Sequence, residues 1–235
     1  MNPIIPTPID FANIRSERQH INNQHAYQCI KNKDLSKHIN LKEWARVCQE
    51  QPEIPESELL HECANNDRMA TILAGRIAIN ASRQGTKDED LQLQICNRTS
   101  IQCGIHIENL SATAFRPTKM GEILSNKDIK TRNIPKNDCL KSFDAKISGK
   151  IEGWIFAKAV FGDGGHQDNV FEEAHTFCEW VLQFGKENEI YIVLCDTNLT
   201  IKFDELKQKY TGHSNLILGN HITIQQYFID TYSTK

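Results

Sequence analysis

Between Lys141 and Thr197 the chain changes its period twice, and this stretch limits the fold more than any other. It opens on a strand-like run, Lys141 to Ile147, followed by a turn at Ser148-Gly149. A longer run from Ile151 to Phe161 then alternates Ile155, Ala157 and Ala159 on one face with Trp154, Phe156 and Lys158 on the other. A Gly-rich segment, Gly162 to Gly165, leads into an amphipathic helix with Phe171, Ala174, Phe177, Cys178 and Val181 on one stripe. An apolar run, Tyr191 to Cys195, reads as a further strand. Strand, strand, helix, strand predicts an α/β protein: a mixed sheet flanked by helices.

Two charged residues stand out in these strands. Lys158 is flanked by Ala157, Ala159 and Val160, and a lysine within an apolar run needs either an acid or a substrate phosphate as partner. The plainer alternative is a packed stem whose ammonium reaches solvent at the strand end. Asp144, between Phe143 and Ala145, lies across the short turn, and hairpin register can bring both side chains to neighbouring positions.

An Asp on one strand and a Lys on the next, followed by helix and strand, resembles the core of the PD-(D/E)XK nucleases. Within that superfamily it is most similar to type II restriction endonucleases. The family pattern is Pro-Asp, a gap, then Glu-x-Lys; this chain has Ser142-Phe143-Asp144 and Phe156-Ala157-Lys158. No Pro precedes Asp144, and Phe156 occupies the place of the second acid. In one branch of the restriction enzymes that acid sits on the following helix. The resemblance then implies Glu172 as the second metal-binding acid, with Glu173 as the adjacent alternative. Glu152 shares the Lys158 face but lies six residues, about 20 Å, along the strand, too far for a shared metal. The Gly/Asp/Gln-rich helix entry is loosely similar to that of EcoRI-like enzymes. There His166, Gln167 and Asn169 are candidates for phosphate or base contacts at a helix N-terminus. Glycines making a turn and Asp168 or Asn169 capping the helix would account for the same residues.

A second polar stretch, Ala81 to Glu89, reads as the exit of a helix running from Asp67 to Ser82, with Gly85 ending it. Arg83 and Gln84 are the side-chain types that read guanine and adenine, and Thr86 and Lys87 are typical phosphate contacts. A solvated, cationic helix end explains them equally. Leu91–Cys96 and Ser100–Ile107 alternate about Asn97-Arg98-Thr99 and predict a hairpin. Arg116 and Lys119 form a basic loop, and Lys130, Arg132 and Lys136 add positive charge ahead of the Asp144 strand, as a DNA-facing entry requires.

Residues 1–65 read as a helical arm or subdomain, either DNA-clasping, dimerising or simply packed, and 66–235 as the core. In the Asp67–Ser82 helix, Met69, Ile72, Leu73, Ile77 and Ala78 are expected to form the buried face. Beyond Asp196 the expectations are a helix at Phe203–Tyr210, a strand at Asn215–Leu218 and a last helix at Ile222–Tyr232.

With 235 residues the chain can bury a substantial core without staples. A net charge of -3 gives no overall basic signature, although catalytic acids and a local basic cleft cancel in such a sum. Mean hydropathy is -0.50 and no apolar run is long enough to span a membrane. The first residues lack the pattern of a secretory signal, and the eight cysteines never fall at metal-ligand spacing. Cys178 and Cys195 read as free buried thiols, so a cytoplasmic protein is expected.

Taken together, the resemblance implies a sequence-specific endonuclease for double-stranded DNA. It would use Mg²⁺ held by Asp144 and Glu172, with Lys158 orienting or deprotonating the attacking water, and it would act as a homodimer. A repair or recombination nuclease of the same superfamily fits the same residues. So does a catalytically inactive DNA-binding module, for which Phe156 is the best argument.

Overall fold

The computed structural model describes residues 3–35, 38–110, 114–161 and 167–233, with the side chains of residues 167 and 168 left aside. The chain divides into two compact units: Asp10–Gln84, and Gly85–Lys235 together with Met1–Ile9.

The first unit is helical. It contains α1 (Phe11–Lys31), α2 (Leu41–Gln49), α3 (Glu56–Asn65) and α4 (Asp67–Ile77), followed by the short turn Ala81–Arg83. Side-chain caps start three of the four helices: Asp10 accepts from the Asn13 amide, Asn40 from Glu43 and Asn66 from Met69. Their shared core holds Ala26, Ile30, Trp44, Leu59, Leu73 and Ile77. The expected face of α4 is half correct. Leu73, Ile77 and Ala78 are buried, but Met69 and Ile72 are exposed, and Ala70 and Ala74 take their places. Small alanines allow helices to approach closely, which a count of large apolar residues does not register.

The second unit is built on a five-stranded mixed sheet. In chain order its elements are α5 (Gly85–Gln102), β1 (Ile105–Asn109), β2 (Phe115–Pro117), β3 (Ile123–Ser125), α6 (Asn126–Thr131) and β4 (Ala145–Gly149). Then come β5 (Glu152–Val160), α7 (Gln167–Phe184), β6 (Glu189–Thr197), α8 (Thr200–Tyr210), β7 (Leu216–Gly219) and α9 (His221–Tyr232). The strand order is β1-β4-β5-β6-β7, with β2 and β3 forming a separate ribbon. β1, β4 and β5 are antiparallel neighbours, whereas β5, β6 and β7 are parallel and joined by the crossover helices α7 and α8. Gly153 permits the tight β5–β6 pairing, since a Cβ there would lie 2.1 Å from the Ile190 carbonyl oxygen.

Each face of the sheet carries its own core. Phe143, Trp154, Phe156, Phe177, Val181 and Tyr191 pack with α7 and α8 on one side. Ile107, Ile147, Ile155, Ala157, Leu194 and Phe228 pack with α5 and α9 on the other. The fold is therefore mixed α/β, with helices on both faces of the sheet and a helical N-terminal region. The stripe on α7 falls as expected, with Ala174, Phe177, Cys178 and Val181 buried. All eight cysteines are free, and burial pushes the Cys178 and Cys195 thiols up to about 12, so neither is a thiolate at neutral pH. No described helix is long and apolar enough to cross a membrane.

One element differs outright. Residues 85–102 form a helix, where alternation of Leu91, Leu93 and Ile95 predicts a strand and Gly85 a helix stop. The buried positions are Asp88, Gln92, Leu93, Ile95, Cys96, Thr99 and Ser100, a stripe with helical spacing. Four of them are polar, and two reach distant partners: the Thr99 hydroxyl donates to Gln225 Oε1 at 2.7 Å and Gln92 Nε2 to Asp196 Oδ2 at 2.6 Å. A stripe made of polar residues is invisible to a hydrophobic count.

Candidate active site

The β4–β5 hairpin places the first acid. Gly149 closes the turn with φ +110, where a Cβ would lie 2.5 Å from the Gly104 carbonyl oxygen, so only glycine fits. The register pairs Ala145 with Ile155, which puts Asp144 at the strand entry beside Phe156 and Ala157. The Asp144 amide donates to the Ile155 carbonyl at 2.9 Å, and its Oδ2 accepts from the Ala157 amide at 2.8 Å. Both ends of the residue are thus held by β5.

Lys158 follows immediately. Its Nζ lies 3.8 Å from Asp144 Oδ2 and 3.4 Å from Oε1 of Glu89, and 4.7 Å from the centre of the Phe156 ring. The side chain is only 12% exposed, so its ammonium does not reach into solvent but serves two acids. Glu89 stands in the second turn of α5, near the helix N-terminus that favours an anion. Asp144, Lys158 and Glu89 therefore form one cluster, assembled from a strand entry, the far half of β5 and a helix.

The charges in it do not balance. Burial raises the carboxyl of Asp144 above its ordinary range, while Lys158 and the Ala157 amide pull it back down. Burial likewise raises Glu89, opposed by Lys158 and reinforced by the negative charge of Asp144. Two partly desolvated carboxylates share one ammonium, an arrangement that attracts a further cation. Among the described residues, no three His, Cys, Asp or Glu side chains converge closely enough to hold a metal by themselves. Mg²⁺ does not need three: it is commonly held by one or two carboxylates, with waters and substrate phosphates completing the shell. The hard oxygen donors of Asp144 and Glu89 fit that requirement.

Behind the cluster, Gln92 fixes α5 to the sheet. It is fully buried, one turn beyond Glu89, and its Nε2 donates to the Lys158 carbonyl at 3.0 Å and to Asp196 Oδ2 at 2.6 Å. Two acceptors fix the amide orientation, and Gln92 Oε1 is left without a hydrogen-bond partner among the described residues. Asp196, opposite Ala159 on β6, also binds His221 Nδ1 at 2.7 Å. The Ile9 amide donates to His221 Nε2 at 2.9 Å, so the ring proton lies on Nδ1 and points to Asp196. α5, β5, β6 and α9 are locked together just beneath the acids.

The remaining candidates fall in different places. Glu172 is exposed and lines a groove with Phe156 and Lys141, while the charges acting on the Asp144 carboxyl are those of Lys158, Lys141 and Glu173. The acid that the structure places against Lys158 beside Asp144 is Glu89, at 3.4 Å. On α7, Glu173 pairs with Lys141 at 3.5 Å, and Glu172 next to it is exposed. Phe156 is 1% exposed and stacks on Phe177 at 5.6 Å, so the usual position of a strand-borne acid belongs to the core. Asn169 lines a groove with Phe156, Glu172 and Glu173, Gln167 begins α7, and His166 lies outside the described residues. Arg83 and Gln84 belong to the helical unit, where Gln84 Oε1 accepts from Asn22 at 3.3 Å, and Thr86 and Lys87 are exposed in the first turn of α5. Arg116 and Lys119 line a groove with Lys136 and Lys141.

Reading the sequence alone misses Glu89 and Gln92, and the available signal was the helical spacing of Asp88, Gln92, Cys96 and Thr99. No family model matches the chain, and no curated protein shows significant sequence similarity to it.

Proposed function

We propose that this protein is a divalent-metal-dependent DNA endonuclease, with Asp144, Glu89 and Lys158 as its catalytic residues. The observation that carries the reading is the position of Lys158 Nζ, within 3.8 Å of carboxylate oxygens from two separate elements. Phosphodiester hydrolysis requires an activated water, a stabilised developing charge on the phosphoryl oxygens and a leaving oxygen that can depart. Mg²⁺, when bound, would supply Lewis acidity and a water of lowered pKa. Asp144 and Glu89 would hold it by one carboxylate each. Lys158, held by the same two acids, places its ammonium where it orients the attacking water and stabilises the phosphoryl charge. The Phe156 side chain gives Lys158 an apolar wall that limits its motion.

The PD-(D/E)XK resemblance supports this reading through the order strand, strand, helix, strand around the Asp and the Lys. A helix-borne Glu89 would answer for the acid absent at Phe156. It also weakens the case for an inactive binding module, since a degenerate site has no reason to keep two carboxylates against a buried ammonium. Within this reading the chain cuts double-stranded DNA at specific sites in the manner of a type II restriction enzyme. Cutting both strands then calls for two copies of the chain. Incubation of supercoiled plasmid with Mg²⁺ tests the proposal. Discrete fragments support site-specific cleavage, a smear or structure-dependent nicking supports a repair nuclease, and intact plasmid across several substrates rules out the nuclease reading.

A further inference from the structure

A groove beside β2 and β3 has a charge pattern that the cleavage site itself does not require. It is lined by Arg116, Lys119, Lys136 and Lys141, with Glu173 as the one carboxylate among its lining residues. Among the described residues only Lys141 of these four has an acidic partner, Glu173 at 3.5 Å. Lys119, Lys136 and Lys141 are exposed, and half-buried Arg116 is aimed by its Nη1 bond to the Leu140 carbonyl at 3.2 Å. On a chain of net charge -3, four cations against one acid is a local reversal of sign.

The groove is also continuous with the site. Leu140, Lys141 and Glu173 line both it and a second groove that reaches Phe156, the residue under the Lys158 ammonium. Lys141 lies three residues before Asp144 on the same segment, close enough for its charge to be felt at that carboxyl. A polyanion leaving the acids along this surface would pass Lys141, which lines both grooves, into the groove of Arg116, Lys119 and Lys136.

We propose that this groove carries the phosphodiester backbone of the nucleic-acid substrate on one side of the cleaved bond, with Lys141 exchanging Glu173 for a phosphate on binding. This rests on the nuclease reading for the identity of the polyanion, but not on catalysis. Exposed lysines and an arginine fit sequence-independent phosphate contact, which is where most protein–DNA hydrogen bonds go. Glu173 is the built-in competitor. Its removal frees Lys141 and deletes the one carboxylate among the described residues that line the groove.

The test is duplex-DNA binding by fluorescence anisotropy without divalent metal, for the full chain and its Lys119→Gln, Lys136→Gln and Glu173→Gln variants. These positions are at the surface, so circular dichroism should show unchanged folds. Each lysine that touches a phosphate should reduce the slope of log affinity against log salt by about 0.9 between roughly 50 and 200 mM salt. Glu173→Gln should bind more tightly than the wild type, an effect that a merely structural role would not produce. Unchanged slopes in both lysine variants, or weaker binding by Glu173→Gln, overturn the proposal, as does a wild-type protein that binds no duplex at low salt. Binding with these slopes by a protein that never cuts DNA keeps the groove and removes the nuclease reading. Cutting with unchanged slopes does the reverse.

Discussion

Lys158 Nζ donates across 3.4 Å to Oε1 of Glu89, an acid 69 residues away in sequence that stands on a helix rather than on the β4–β5 hairpin. This bond, with the 3.8 Å approach to Asp144, turns two neighbouring strands into a three-residue site.

It follows that the two helix acids should behave differently. Glu89→Gln keeps the shape and a hydrogen-bond acceptor but removes one metal-binding charge, so Mg²⁺-dependent cleavage should fall by about a hundredfold or more. Glu172→Gln, at an exposed position, should cut within a few-fold of the wild type. Single-turnover rates on one defined duplex make the comparison. Equal losses in both variants would return the second acid to α7.

The pH dependence of stability gives an independent check. Burial raises Glu89 and Asp144 above the ordinary carboxylate range, so folding favours their protonated forms. A raised carboxyl contributes stability that is present at acid pH and lost as pH climbs through its folded value. Glu89→Gln leaves one acid to one ammonium. In the absence of divalent cation it should therefore melt above the wild type at neutral pH, with the advantage shrinking towards the ordinary carboxylate range of about 4. Added Mg²⁺ should raise the wild-type melting temperature and not that of Glu89→Gln. A variant less stable than the wild type at neutral pH would show that the second carboxylate is compensated.

Gln92 is expected to be a positioning residue. Gln92→Leu keeps most of the volume but removes the donor shared by the Lys158 carbonyl and Asp196, at a cost of about 1–3 kcal/mol. For a chain of this size each kcal/mol lowers the melting temperature by about 2–4 °C. Cleavage should slow because α5 no longer holds Glu89 in register with Lys158, whereas DNA affinity should be unchanged. A Gln92→Leu protein with wild-type melting and rate would mean that other contacts of α5 set this register.

How far the sequence reveals the site depends on which residues are local to it. Asp144 and Lys158 are legible because a two-strand hairpin with a glycine turn restricts its own register, and an unpaired lysine in an apolar run calls for an acid. The sheet's parallel half is legible too, since β5, α7, β6, α8 and β7 each carry an unmixed period. Glu89 is not legible in this way. Its helix buries Asp88, Gln92, Thr99 and Ser100 instead of a leucine stripe, and Leu91, Leu93 and Ile95 imitate the alternation of a strand. The partners that make those polar positions tolerable, Asp196 and Gln225, are 104 and 126 residues away. Burial of a polar face can only be read once its distant partners are known. Glu172 is the reverse case: its residue type and spacing from Lys158 are legible in the sequence, and in the structure it stands exposed on α7.

The most direct measurement is the single-turnover rate of plasmid or duplex cleavage by wild type and Lys158→Ala, each with Mg²⁺ and with chelator. With Asp144, Glu89 and Lys158 forming the catalytic centre, the wild type cuts only with Mg²⁺, and Lys158→Ala loses about 10²–10³ in rate while still binding DNA. Cleavage by Lys158→Ala at the wild-type rate, or wild-type cleavage that persists in chelator, would contradict it.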